Sequence, residues 1–193
     1  MSKPISPSFA SLVQEFFTDY MTRQRSLSPQ TIASYRDSFL LLLRFAEQTL
    51  GKPATAFELS DLQPRFIARF LDHLERERGN SPRSRNIRLA ALRSFLKFAA
   101  RRDLASLSVI EQALAVPMKR FERKMVGFLT REQMLAGIDV PTTTWLGQLD
   151  HLLLTLMFNT GDRVSEIVGG RAADGILGTN SGGRRLGKGR KQR

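Results

Sequence analysis

The chain has 193 residues, with 30 Lys+Arg against 18 Asp+Glu and a formal net charge of +12. It contains no cysteine and only two histidines, His73 and His151, which excludes disulfides, thiolate metal sites and a cysteine nucleophile, so no metal and no other cofactor is expected. The longest apolar run, Phe39 to Leu43, is far shorter than the roughly 20 residues that cross a bilayer, and the N-terminus has no apolar signal core, so a cytoplasmic protein with no membrane contact is expected.

In chain order, Val13, Phe16, Phe17, Tyr20 and Met21 fall at i, i+3, i+4, i+7 and i+8, which predicts a helix over Ser8 to Arg25 with one buried face. Ser28 followed by Pro29 predicts a capped second helix, ended near Leu50 by Gly51. A third is expected from Ser60 to Arg78, stopping at Gly79-Asn80. Ser81-Pro82 repeats the cap-then-proline device and opens a fourth, to about Arg102, and Asp103 to Val116 forms a shorter fifth. Pro117 to Val126 is charged and carries no helical stripe, which marks it as a linker. Thr130-x-x-Gln133 then resembles a capping box. Leu149, Leu152, Leu153, Leu156 and Met157 predict an apolar helix over Thr143 to Asn159, whose uncovered face would be an aggregation liability. Thr160-Gly161-Asp162 breaks it, and Arg163 to Val168 starts another. No segment before the linker alternates with period two, so the fold class is mainly α.

The charge excess is concentrated. Ser81 to Arg102 holds seven basic residues and no acid, and the last ten residues hold six more, again with no acid. At about 100° per residue, Ile87, Ala91, Leu92, Phe95, Phe98 and Ala99 share one arc of the fourth helix, with Arg93, Lys97 and Arg101 opposite. Like charges four residues apart repel, and a counter-anion such as a DNA phosphate relieves that cost. Arg83, Ser84, Arg85, Asn86 and Arg88 at the helix start combine donors suited to phosphates and base edges. Thr31, Ser34 and Arg36 on the second helix give weaker support. Tyr35 shares spacing with Ile32 and Phe39, so its ring reads as core or as contact. Double-stranded DNA is the expected partner.

The segments SPQTIASYRDSFLLLLRF and SPRSRNIRLAALRSFLKFAA resemble the core-binding domain of the tyrosine recombinases, the phage-integrase family. LLLTLMFNTGDRVSEIVGG, Leu152 to Gly170, resembles the segment that presents the family's first catalytic arginine, which implies that role for Arg163. The final GKGRKQR resembles the hairpin bearing the catalytic lysine, here Lys188. The resemblance implies a helical, SAM-like core-binding bundle over 8–116, a linker over 117–126, and over 127–193 an incomplete, mostly helical start of the catalytic domain. It also implies transfer of a DNA phosphodiester to a tyrosine without metal. A planar, bidentate arginine suits the charge that develops on the phosphoryl oxygens, and a lysine can protonate the departing hydroxyl.

The family's His-x-x-Arg pair, its second His or Trp and its tyrosine nucleophile have no counterpart here, since the only tyrosines are Tyr20 and Tyr35. The segment GILGTNSGGRRLGKGRKQR also lacks the β-branched alternation of strands flanking a hairpin. The expectation is therefore a truncated, DNA-binding recombinase fragment that is catalytically incomplete alone. The alternatives are a non-catalytic regulator that competes for recombinase sites or pairs with full-length recombinase protomers, and a basic helical protein that binds RNA or an acidic protein.

Overall fold

A proline at the first helical position, preceded by a serine whose hydroxyl accepts a backbone N–H, fixes two of the main helices of the first half. Ser28 caps α2 (Pro29–Leu50) by accepting from the Thr31 N–H, and Ser81 caps α4 (Pro82–Ala99) by accepting from the Ser84 N–H. In the computed structural model, residues 7–122, 127–141 and 143–169 are described, together with the backbone at 175–176 and 182–183. The chain divides into two units, residues 1–123 and 124–193.

The first unit begins with α1 (Phe9–Glu15), capped by Ser8, and continues without a break into a π-helical segment, Phe16–Gln24. The expected helix is thus present, but its winding changes midway: the buried positions Phe9, Leu12, Phe16 and Met21 step by three, four and then five. Gly51, at φ +66, ends α2 in the left-handed conformation that glycine adopts at least cost. The third helix differs from expectation. Ser60 lies in a short 3-10 turn, Leu59–Asp61, and α3 (Pro64–Arg76) starts at Pro64, whose missing N–H costs nothing at a first helical position. The fifth is shorter than expected: α5 (Leu107–Leu114) begins after a turn in which buried Asp103 accepts from the Ala105 N–H and the Ser106 hydroxyl.

α4 is the central strut, packed against α2, α3 and α5. Its buried side chains are Arg85, Leu89, Ala91, Leu92, Phe95, Leu96, Phe98 and Ala99. Ile87, expected on the core arc, is instead exposed at 44%. The core is rich in phenylalanine. Phe16 meets Phe95 edge-on at 5.5 Å and Phe98 at 5.3 Å, joining the π-helical segment to α4. Such pairs add about 0.5–1.5 kcal/mol each beyond area burial. Tyr35 packs partly buried against this core.

In the second unit, Thr130 and Gln133 form the expected capping box of α6 (Arg131–Ile138). Thr144 caps α7 (Trp145–Thr160), Gly161 ends it at φ +66, and α8 (Val164–Val168) follows. Gly147 is the one buried residue of α7; of the apolar face expected to be uncovered, Leu149 and Leu152 are 42% and 53% exposed, while Leu153, Leu156 and Met157 are partly buried. Backbone pairing of Gly175 with Gly183 and Ile176 with Gly182 is antiparallel.

Candidate nucleic-acid interface

The cations of α4 divide according to what the neighbouring elements offer them. Arg85 is buried, its Nε 3.9 Å from Glu75 Oε1 of α3, and its guanidinium also donates to Asn86 Oδ1 at 3.4 Å. Arg88 donates from Nη1 to the Ser34 carbonyl at 2.8 Å and to Ser38 Oγ at 3.1 Å, clamping α4 to α2. Asn86 accepts the Lys119 N–H at 3.0 Å and donates to the Lys119 carbonyl at 2.7 Å, while Lys119 Nζ reaches Glu75 Oε2 at 2.8 Å. Three residues that sequence reasoning assigned to DNA, Arg85, Asn86 and Arg88, therefore hold the bundle and the chain that leaves it. Arg102, at the end of the basic run, pairs with Glu15 at 2.7 Å and lies 3.7 Å over the Phe98 ring.

The remaining basic residues of α4 turn outward. Arg83, Ile87, Ala90, Ser94 and Lys97 follow one another at helical spacing along the side opposite Leu92, over about 21 Å of axis, and Arg101 lies in the turn just beyond the end of α4. Arg83, Lys97 and Arg101 are exposed. Arg93 is half-buried and spends one terminal nitrogen on the Leu114 carbonyl at 3.0 Å, which fixes its guanidinium while leaving other donors. On α2, Arg36 is exposed, Thr31 shares a hydrogen bond with Ser28 at 2.9 Å, and the Ser34 carbonyl is taken by Arg88 and by the Ser38 hydroxyl. Ser84 shares a hydrogen bond with Ser81 at 3.1 Å at the cap.

A cleft of about 500 Å³ opens beside this outward face, lined by Tyr20, Arg25, Arg93, Ser94, Lys97 and Arg101 among others. Tyr20 and Arg25 were not singled out as contacts from the sequence. Their juxtaposition depends on the π winding, which an α-periodic reading does not contain.

In the second unit, Arg163 precedes α8. Its backbone N–H donates to Glu166 Oε2 at 3.1 Å, and its Nη1 lies 3.0 Å from Glu166 Oε1. The Arg163 side chain is 57% exposed and the Glu166 side chain that orients it only 8%. Lys188, the other residue with an implied catalytic role, lies outside the described residues. Among the described residues no group of three or more His, Cys, Asp or Glu could hold a metal, and no helix is long and apolar enough to cross a membrane.

These features define a small all-helical module with an unneutralised cationic edge, followed by a second helical unit. Residues 14–103 match the family model described as the phage integrase N-terminal SAM-like domain. The chain is 43% identical over 187 residues to y4rC of Sinorhizobium fredii, named as an integrase/recombinase; the match covers 96% of this chain and 56% of that protein. It is 39% identical over 166 residues to y4rD of the same organism, covering 86% and 59%, and 30% identical over 158 residues to tyrosine recombinase XerC of Xylella fastidiosa, covering 82% and 50%. The chain belongs to the phage-integrase family of tyrosine recombinases. It spans about half the length of the curated relatives it matches.

Proposed function

We propose that the bundle formed by residues 8–116 binds duplex DNA through the outward face of α4, and that residues 127–193 form the opening part of a recombinase catalytic domain. The observation that carries the reading is the division of the cations of α4 and of the turn after it: Arg85 is buried beside Glu75 and Arg88 is hydrogen-bonded inside the bundle, while Arg83, Lys97 and Arg101 are exposed on a side that carries no acid. Ile87, Ala90 and Ser94 between them are small or apolar enough for the helix to approach a groove closely, Arg93 extends the cationic edge, and Arg36 is an exposed cation of α2.

About five phosphate contacts give a log–log dependence of affinity on salt with slope near −4 to −5. Titration of the full chain with duplex DNA at several salt concentrations tests this, and a flat response refutes it. Competition with duplex RNA separates a B-form reader from a general polyanion binder, because the A-form major groove does not admit a reading helix.

Arg163, oriented by Glu166, is proposed to carry the family's arginine role, and Lys188 the lysine role. The nucleophile is a different matter. The tyrosines of this polypeptide, Tyr20 and Tyr35, pack against the first unit's core, so these 193 residues alone are not expected to form a tyrosyl–DNA bond. A suicide substrate that trapped a covalent adduct on either tyrosine would overturn that. The same observation favours a second role, as a non-catalytic regulator that competes for recombinase sites or pairs with full-length protomers. Inhibition of an intact relative in a mixed recombination assay supports it, and unchanged recombination argues against it.

A further inference from the structure

The cleft between the π-helical segment and α4 gathers Arg25, Arg93, Lys97 and Arg101 with no carboxylate among its lining residues. Three acids of neighbouring elements are paired with other cations: Asp19 with Arg23, Glu15 with Arg102, and Glu75 with Arg85 and Lys119. Among the described residues, none of the four cleft cations has an ion-pair partner. Mutual repulsion of four positive charges around one cleft opposes folding, and a bound anion removes that opposition.

Arg25 reaches the cleft because of the π winding. Residues five apart in an α-helix point roughly 140° away from each other, at 100° per residue. The wider i to i+5 turn brings Arg25 back over Tyr20: its N–H donates to the Tyr20 carbonyl at 2.9 Å, its Nη1 donates to the Tyr20 hydroxyl at 3.3 Å, and its guanidinium carbon lies 5.9 Å from the ring centre. Tyr20 in turn rests on Phe16 at 5.7 Å and Phe98 at 5.0 Å. Ser26, at φ +45, then turns the chain away. The arginine is thus held from a ring anchored in the core, and a pre-positioned guanidinium loses less freedom when it takes a ligand.

We propose that this cleft seats one backbone phosphate of a DNA duplex, with Arg25, the residue that ends the π-helical segment, as a ligand alongside Arg93 and Lys97 of α4 and Arg101 of the turn after it, and with Tyr20 as the positioning residue for Arg25. The proposal rests on the DNA-binding reading above and adds to it a second element and a defined seat. A tyrosine and an arginine in the first helix thereby act in binding although neither lies in the basic run of α4.

The test is duplex binding by the full chain, followed by fluorescence anisotropy over a salt series. Removing one phosphate contact makes the slope shallower by about 0.9, which at 0.1 M salt corresponds to an affinity loss of about eightfold. Arg25→Gln is expected to show both changes and Arg25→Lys to restore the slope. Tyr20→Phe is expected to keep the slope and lose two- to threefold in affinity, roughly the release of one orienting hydrogen bond. Arg69→Gln, the same charge change at an exposed residue outside the cleft, is expected to leave the slope at its wild-type value. Wild-type slope and affinity in Arg25→Gln, with wild-type binding intact, overturn the cleft alone. A wild-type chain with a flat salt response overturns the DNA-binding reading and the cleft with it.

Discussion

Arg88→Met separates a structural arginine from a DNA-contacting one, because the two roles predict opposite readouts. Arg88 Nη1 donates to the Ser34 carbonyl at 2.8 Å and to the hydroxyl of fully buried Ser38 at 3.1 Å. Hydrogen bonds to a charged group contribute about 1.5–3 kcal/mol each, but both of these leave one nitrogen and are not independent. The Ser34 carbonyl also keeps a second partner, the Ser38 hydroxyl at 2.8 Å, so the substitution does not orphan it. Methionine retains much of the apolar stem, so packing loss is small. The expected cost is about 2 kcal/mol, or roughly 8 °C in the melting temperature of a unit of about 100 residues. Melting the full chain by far-UV circular dichroism measures it, and the salt slope of DNA binding should stay at the wild-type value. A melting temperature within about 2 °C of wild type, together with a slope shallower by about 0.9, would refute the clamp and make Arg88 a phosphate ligand.

Asn86→Ala removes two hydrogen bonds that hold Lys119, each of about 1 kcal/mol, and should raise tryptic cleavage after Lys119 or Arg120 roughly thirtyfold if cutting follows local opening; an unchanged rate means that the segment is held by something else. Lys52 Nζ lies 2.6 Å from Asp61 Oδ1, and this hydrogen bond raises the ammonium pKa above its usual 10.5 against an opposing loss of hydration. A raised folded-state pKa contributes stability that is complete below the unfolded value and fades as pH climbs through the folded one. The melting-temperature gap between wild type and Lys52→Met should therefore narrow above about pH 10.5, and a gap that stays constant there removes the pair as its cause.

The helix boundaries legible in the sequence are those written in local chemistry. Ser28-Pro29, Ser81-Pro82, Thr130-x-x-Gln133, Gly51 and Gly161 each satisfy or end a helix through groups within a few residues, so no tertiary information is needed to find them. The π winding was not legible, because Phe16, Phe17, Tyr20 and Met21 fit an α-helical stripe equally well. Only the packing of Phe16 and Met21, both fully buried and five apart, reveals the wider turn. The start of α3 was displaced by four residues because Ser60 followed by an acid imitates a cap, whereas the helix starts at Pro64, after a Gln63 that makes no side-chain capping hydrogen bond.

The site is a harder case, and α4 shows why. On a helical projection Arg85 and Arg88 stand seven and four residues before Leu92, which puts both within about 40° of the core direction, so their angles alone already set them apart from Lys97 and Arg101. The sequence signal that would have moved them was therefore present, but a guanidinium at a core angle can also reach out along its stem to water. What decides between the two is a partner waiting inside, a carboxylate or a carbonyl. Glu75 for Arg85 and the Ser34 carbonyl for Arg88 come from α3 and α2, ten and fifty-four residues away. A basic run is thus an upper bound on a DNA surface: the part that acts is what remains after every carboxylate and free carbonyl of the neighbouring helices has taken its cation. In this bundle the remainder on α4 and the turn after it is Arg83, Lys97 and Arg101, with the half-engaged Arg93, and the net charge of the run overstates the interface by the cations that hold the fold together.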